Sequence, residues 1–263
     1  MIRPLVADVA GDGAPVVLLH GQPGVAANWW RVAPLLGDRY RVVTPDRLGY
    51  GRTGGSAAGF AANARAVLAL LDRLALPSAV LVGHSWAGAV ALWAAVVAPR
   101  RIDGLVLVSS VAPGGPVGRL DRLLARRPVG ELTALATVGA GARLVRDRRA
   151  RTLARRLLPA SGWDLVAHST PGPGAWRAFA VEQRALVDEL AELRPMLGSV
   201  VAPAVVVHGT ADRVVAPRDG RLLAAALPAA ELRLVEGGGH LLPWDHPAAV
   251  AAAIDEVAGD LRR

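Results

Sequence analysis

Apolar runs rich in Val and Leu recur along the chain at residues 16–19, 40–44, 79–82, 105–109, 204–208 and 231–235, separated by helix-length segments. Short runs that are apolar on both faces, alternating with helices, imply strands of a parallel sheet covered on both sides. Helices are predicted over 28–36, 60–75, 86–98, 217–226 and 247–261, with Pro217 and Pro247 suited to first turns, where a missing N–H costs nothing. The fold class is therefore α/β: a mostly parallel sheet with helices on both faces. Between Pro113-Gly114-Gly115-Pro116 and Arg194-Pro195 the alternation stops. Helical patterns such as Leu120-x-x-Leu123-Leu124 and the stretch 175–193 take over, which predicts a helical insertion at 114–197 in a core made of 1–113 and 198–263.

A hydrophobic content of 52% with 20% charged residues excludes a disordered chain of this length. The N-terminus has no apolar leader-like run. The longest apolar stretch, 87–98, is too short for the ~30 Å of a bilayer core, so a cytoplasmic protein with no membrane or nucleic-acid partner is expected. With no cysteine there is no disulfide framework, Cys nucleophile or thiolate site, and the scattered histidines lack metal-ligand spacing. No metal and no cofactor are expected.

The formal charge is +8, and all 30 basic residues are arginine, a bias that fits a GC-rich coding sequence. Its placement adds something. Residues 114–160 hold 11 Arg against Asp121, Glu131 and Asp147, while the remainder balances at 19 against 19. A confined excess creates a local field that would suit an acidic substrate or an acidic carrier protein, although a solvated arginine face is the plainer reading.

The candidate chemistry centres on Gly83-His84-Ser85-Trp86-Ala87-Gly88, which joins a predicted strand to a predicted helix. A serine in such a tight turn presents its hydroxyl to an imidazole that can take its proton. Downstream come Asp212 in Gly209-Thr210-Ala211-Asp212 and His240 in Gly237-Gly238-Gly239-His240; upstream, His20-Gly21-Gln22-Pro23-Gly24 follows the first run. The order Ser, Asp, His and the place of each motif resemble the α/β-hydrolase superfamily from about residue 14 to the C-terminus. The resemblance implies a triad of Ser85, His240 and Asp212, and an oxyanion hole from the backbone N–H groups of Gln22 and Trp86, since Pro23 has no N–H to give. It also makes the insertion a lid. Ala87 departs from the glycine usual two residues after the nucleophile, and Gly54-Gly55-Ser56 matches the serine pattern but follows no strand.

His20, His84, His208 and His246 are read as supporting groups, and the loop Pro45-Asp46-Arg47-Leu48-Gly49-Tyr50-Gly51-Arg52 as a brace for the site. Trp29, Trp30 and Trp244 are candidates for an apolar substrate pocket. Gly-His-Ser-Trp also resembles the turn of haloalkane dehalogenases and epoxide hydrolases, which carry Asp where this chain has Ser85. A carboxylate attacks alkyl carbon, whereas a serine alkoxide suits acyl carbon. The expected reaction is hydrolysis of a small to medium ester, thioester or lactone through an acyl-enzyme. Alternatives on the same triad are C–C bond hydrolysis and cofactor-free perhydrolysis; from another class, a non-hydrolytic cyclase or lyase, or a ligand-binding receptor.

Overall fold

The computed structural model describes residues 3–115, 117–157, 172 and 174–260. All six predicted strands form. They are β2 (Ala14–Leu19), β3 (Tyr40–Pro45), β4 (Ala79–His84), β5 (Ile102–Val108), β6 (Ala204–Gly209) and β7 (Ala230–Val235), preceded by β1 (Ala7–Ala10), which the sequence pattern did not announce. The sheet order is β1-β3-β2-β4-β5-β6-β7, parallel throughout except for β1 against β3. β1 is an edge strand with three of its four residues exposed, so it carries no apolar run to detect.

The double burial read from the sequence has a direct structural counterpart. Val17, Leu19, Leu81, Leu105 and Leu107 enter one core layer with Phe60, Leu70, Val90 and Leu92 from the helices Phe60–Arg73 and Trp86–Val97. The intervening residues Val16, Leu18, Val80, Val82, Val106 and Val108 enter the other, with Trp29, Val250, Ile254 and Val257, the last three from the helix Pro247–Asp260. Strand residues point alternately up and down, so a strand buried on both faces must be apolar at every position. The predicted helix 28–36 is instead a 3₁₀ turn, Ala26–Trp29, followed by one α-turn, Ala33–Leu36, because Pro34 starts a new turn and cannot continue the old one.

Between β5 and β6 the described residues are helical: Arg119–Ala125, Val129–Ala134, Ala140–Arg146, Arg148–Leu157 and Ala175–Asp188, then a 3₁₀ stretch Leu190–Ser199. Residues 116, 158–171 and 173 of the predicted insertion, Trp163 among them, lie outside the described residues. The 11 arginines of 114–160 are all exposed. No described helix is long and apolar enough to cross a membrane.

Chain connectivity places the functional loops. β2 lies between β3 and β4, so the chain leaves β2 to one side and returns on the other, and the carboxyl ends of β2 and β4 meet at this switch, the usual place for a ligand in such sheets. Packing of β5 against the last helix is tight enough to test. A Cβ on the buried Gly104 would lie 2.2 Å from Val257 Cγ1. Gly104→Ala is expected to destabilise the protein by about 1–3 kcal/mol, as overpacking does. Combining it with Val257→Ala should cost less than the two single changes summed, a coupling that denaturant titration of the four proteins measures.

Candidate active site

Ser85 stands between the last residue of β4 and the first of the following helix, with φ 56° and ψ −121°. A non-glycine residue at positive φ costs about 1–3 kcal/mol and persists only where its surroundings enforce it. Here its N–H donates to Val108 O (2.9 Å) and its carbonyl accepts from Gly88 N (3.1 Å). Neighbouring glycines let helix and strand approach: a Cβ on Gly83 would sit 2.6 Å from Ala87 O, and one on Gly88 1.7 Å from Ser110 Oγ. The methyl of Ala87, where the resemblance leads one to expect glycine, is fully buried in the helix-side core.

The two other candidate residues come to Ser85 across 127 and 155 positions of sequence. His240 Nε2 lies 3.0 Å from Ser85 Oγ, and His240 Nδ1 lies 2.8 Å from Asp212 Oδ2. A carboxylate only accepts, so Nδ1 carries the proton and Nε2 is left to accept the serine hydroxyl. Asp212 Oδ1 accepts the N–H groups of Val214 (2.8 Å) and Val215 (3.0 Å), and His208 Nε2 approaches Oδ2 at 3.5 Å. Burial alone would raise the Asp212 pKa, but the bonds from His208 and His240 outweigh it and hold the carboxyl well below the usual carboxylate range. Behind the imidazole, His84 Nε2 donates to the His240 carbonyl at 3.0 Å. Burial, then the charge of His240, lowers the His84 pKa to about 3, so this ring is a neutral tether of the loop.

Two cavities meet at Ser85. The larger, about 360 Å³, is lined by Gln22, Trp86, Val111, Phe179, Leu186 and Val215, with Asp121, Asp219 and Arg218 farther along it. The smaller, about 180 Å³, is lined by His84, His240, Pro243, Trp29 and Trp244. Trp30 lines neither; it follows the 3₁₀ turn, and the Arg31 guanidinium lies 4.7 Å over its ring. Among the described residues, no protein acceptor takes the backbone N–H of Gln22 or Trp86, and both residues border the larger cavity. None of the 11 arginines of 114–160 lines either cavity. No cluster of His, Asp or Glu suited to a metal ion occurs among the described residues.

Sequence reading placed His208 among supporting residues without saying what it supports; its partner is Asp212, reached from the end of β6. It missed Glu182 entirely, because a lone carboxylate in an amphipathic helix reads as a solvated charge, whereas this one is fully buried.

Asp212→Asn should keep the contact but favour the wrong imidazole tautomer, lowering kcat by ~10³–10⁴-fold in steady-state kinetics. The depressed Asp212 pKa stabilises the fold above the unfolded carboxyl pKa, and this contribution fades as pH falls through the lower folded value. The stability gap between wild type and Asp212→Asn should therefore be full above about pH 4 and narrow below it, which denaturation across pH would show.

Comparison with known proteins gives a consistent picture. The family model described as alpha/beta hydrolase fold matches residues 14–247. A 2-hydroxymuconate semialdehyde hydrolase from Pseudomonas sp. (strain CF600) is 29% identical over 262 residues, covering 94% of this chain and 87% of that protein. A solved hydrolase from Pseudomonas aeruginosa PA01 superposes with a TM-score of 0.78 at 26% identity, covering 97% of this chain and 94% of the other. A structure of an N-acyl homoserine lactone degrading enzyme gives 0.69 at 25% identity, covering 96% of each chain.

Proposed function

The chain belongs to the alpha/beta hydrolase fold family, and on that premise we propose that it is a serine hydrolase opening an uncharged ester, thioester or lactone of modest size through an acyl-enzyme on Ser85. The observation that carries this reading is the relay Asp212–His240–Ser85, with contacts of 2.8 and 3.0 Å, at the junction of two cavities.

His240 Nε2 takes the Ser85 proton as Oγ attacks the acyl carbon, and Asp212 stabilises the imidazolium that results. The carbonyl oxygen becomes an oxyanion, which the N–H groups of Gln22 and Trp86 receive. Gln22 borders both cavities and Trp86 only the larger one, so the acyl part lies in the larger, under the helices between β5 and β6 acting as a lid. His240 returns its proton to the leaving oxygen or sulfur, and it borders the smaller cavity with Trp244, which therefore holds the alcohol or thiol part. Water then enters the same path, His240 again acting as base, and the acid departs.

C–C bond hydrolysis is the second reading, favoured by the name of the Pseudomonas sp. (strain CF600) relative. The substrate in that name is a carboxylate. In this chain the larger cavity is lined by Asp121 and Asp219, and its one arginine, Arg218, is 65% exposed at the side chain. An anionic acyl part would meet repulsion there, which supports an uncharged substrate and also weighs against the arginine-rich segment as its binding site.

The test is turnover of p-nitrophenyl esters of increasing acyl length, with and without acyl charge. Short uncharged esters should be hydrolysed, succinyl-type esters poorly, and Ser85→Ala should lose at least ~10³-fold in kcat. Ligand binding without Ser85-dependent turnover of any ester would favour a receptor, cyclase or lyase.

A further inference from the structure

The backbone carbonyls of His20 and Gly21, in the loop 20–22, are both held by one side chain. Arg47 is fully buried, and its guanidinium donates through Nε to His20 O (2.7 Å) and through Nη2 to Gly21 O (2.8 Å), while its backbone N–H donates to His20 Nε2 (3.0 Å). With Nε2 accepting, His20 Nδ1 carries the proton and donates to the same Gly21 O at 2.9 Å. Gly21 C=O and Gln22 N–H belong to one planar trans peptide, so they point in opposite directions. Two donors on the oxygen thus fix where the N–H points. Were this peptide to rotate, a carbonyl dipole would face the developing oxyanion in place of a donor.

Arg47 is itself held from the helix Ala175–Asp188. Glu182, also fully buried, accepts from Arg47 Nη1 and Nη2 and from Tyr50 OH (2.8 Å). The same helix engages the side chains of both residues whose N–H groups border the larger cavity: Gln22 Nε2 donates to Phe179 O (2.9 Å) and Trp86 Nε1 to Glu182 O (3.1 Å). Phe179 and Glu182 are one helical turn apart on one face.

We propose that Glu182 is a positioning residue: through Arg47 it sets the orientation of the Gly21–Gln22 peptide, so that the helical insertion assembles the oxyanion hole. The catalytic meaning of this claim rests on the serine-hydrolase reading; the positioning itself does not. Glu182→Gln keeps the shape and an acceptor oxygen but leaves Arg47 charged and unneutralised in the interior, a change that can prevent folding. The double variant Arg47→Met with Glu182→Leu removes both charges and is the second arm, since apolar replacement of a buried pair is often neutral for stability.

In whichever variants fold, with thermal melting as the check, kcat for p-nitrophenyl butyrate should fall about 10- to 100-fold with KM changed less than about 3-fold, the size of effect a misplaced site produces. Inhibition by an alkyl trifluoromethyl ketone, whose adduct places an oxyanion in the same hole, should weaken by the same factor as kcat. The 1H–15N order parameter of the Gln22 amide should fall from the rigid-backbone range of about 0.85 to below about 0.6, since an N–H no longer held in one orientation samples several. A folded double variant with wild-type kcat, ketone affinity and Gln22 order parameter would overturn the proposal, as would a loss confined to KM. If the wild type neither turns over esters nor binds the ketone, the hydrolase reading fails, and the Gln22 order parameter alone decides the positioning: lower in the variants supports it, unchanged refutes it.

Discussion

The parallel pairing of β2 with β4 at the centre of the sheet is the constraint on which the site depends. Its register sets Leu19 beside Gly83, so the residues that leave the two strands, His20 to Gln22 on one side and Ser85 on the other, emerge side by side. β5 adds Val108 beside His84, which supplies the carbonyl that holds the Ser85 N–H, and the β6–β7 pair delivers Asp212 and His240 from the same edge. Ladder hydrogen bonds and two apolar layers hold this arrangement together beneath the polar contacts of the site. The positive φ of Ser85 is tolerated because strand and helix on either side are buried nearly completely.

Much of the polar chemistry consists of giving the imidazoles around the site defined partners. His20 sits between Arg47 N and Gly21 O, and His84 ties down the His240 carbonyl. His208 braces Asp212 and donates to Val215 O at 3.0 Å. Burial lowers the pKa of both His20 and His84, so these rings stay neutral and bring no added cation beside His240. The Arg47–Glu182 pair follows the same logic with opposite means: its charges cancel inside the protein, and what remains is a set of directed N–H groups on the loop carbonyls.

How much of this was legible in the sequence follows from which forces are local. The five strands β2 to β6 were visible because burial on both faces forces a continuous apolar run; β7, an edge strand with Glu231, Arg233 and Leu234 exposed, was visible only through Leu232, Leu234 and Val235, and β1, at the other edge, escaped because it carries no such run. Ser85, Asp212 and His240 were legible because tight turns after strands demand particular small residues at fixed offsets, and those offsets survive in a linear string. Glu182 was not, since its meaning comes from Arg47, 135 positions away, and nothing near it in the helix sets it apart from Asp188 or Glu189. Trp30 shows the reverse failure: proximity in sequence to the loop suggested a pocket residue, but adjacent residues of a 3₁₀ turn face different ways, so Trp29 and not Trp30 reaches the cavity.

The proposed chemistry requires the nucleophilicity of one hydroxyl, that of Ser85. Peptide mapping after brief exposure to a fluorophosphonate measures it without any assumption about substrate. One adduct per chain, on Ser85, and its disappearance in His240→Ala, is the outcome this geometry predicts. An unlabelled protein, or a label on another residue with Ser85 intact, would contradict it.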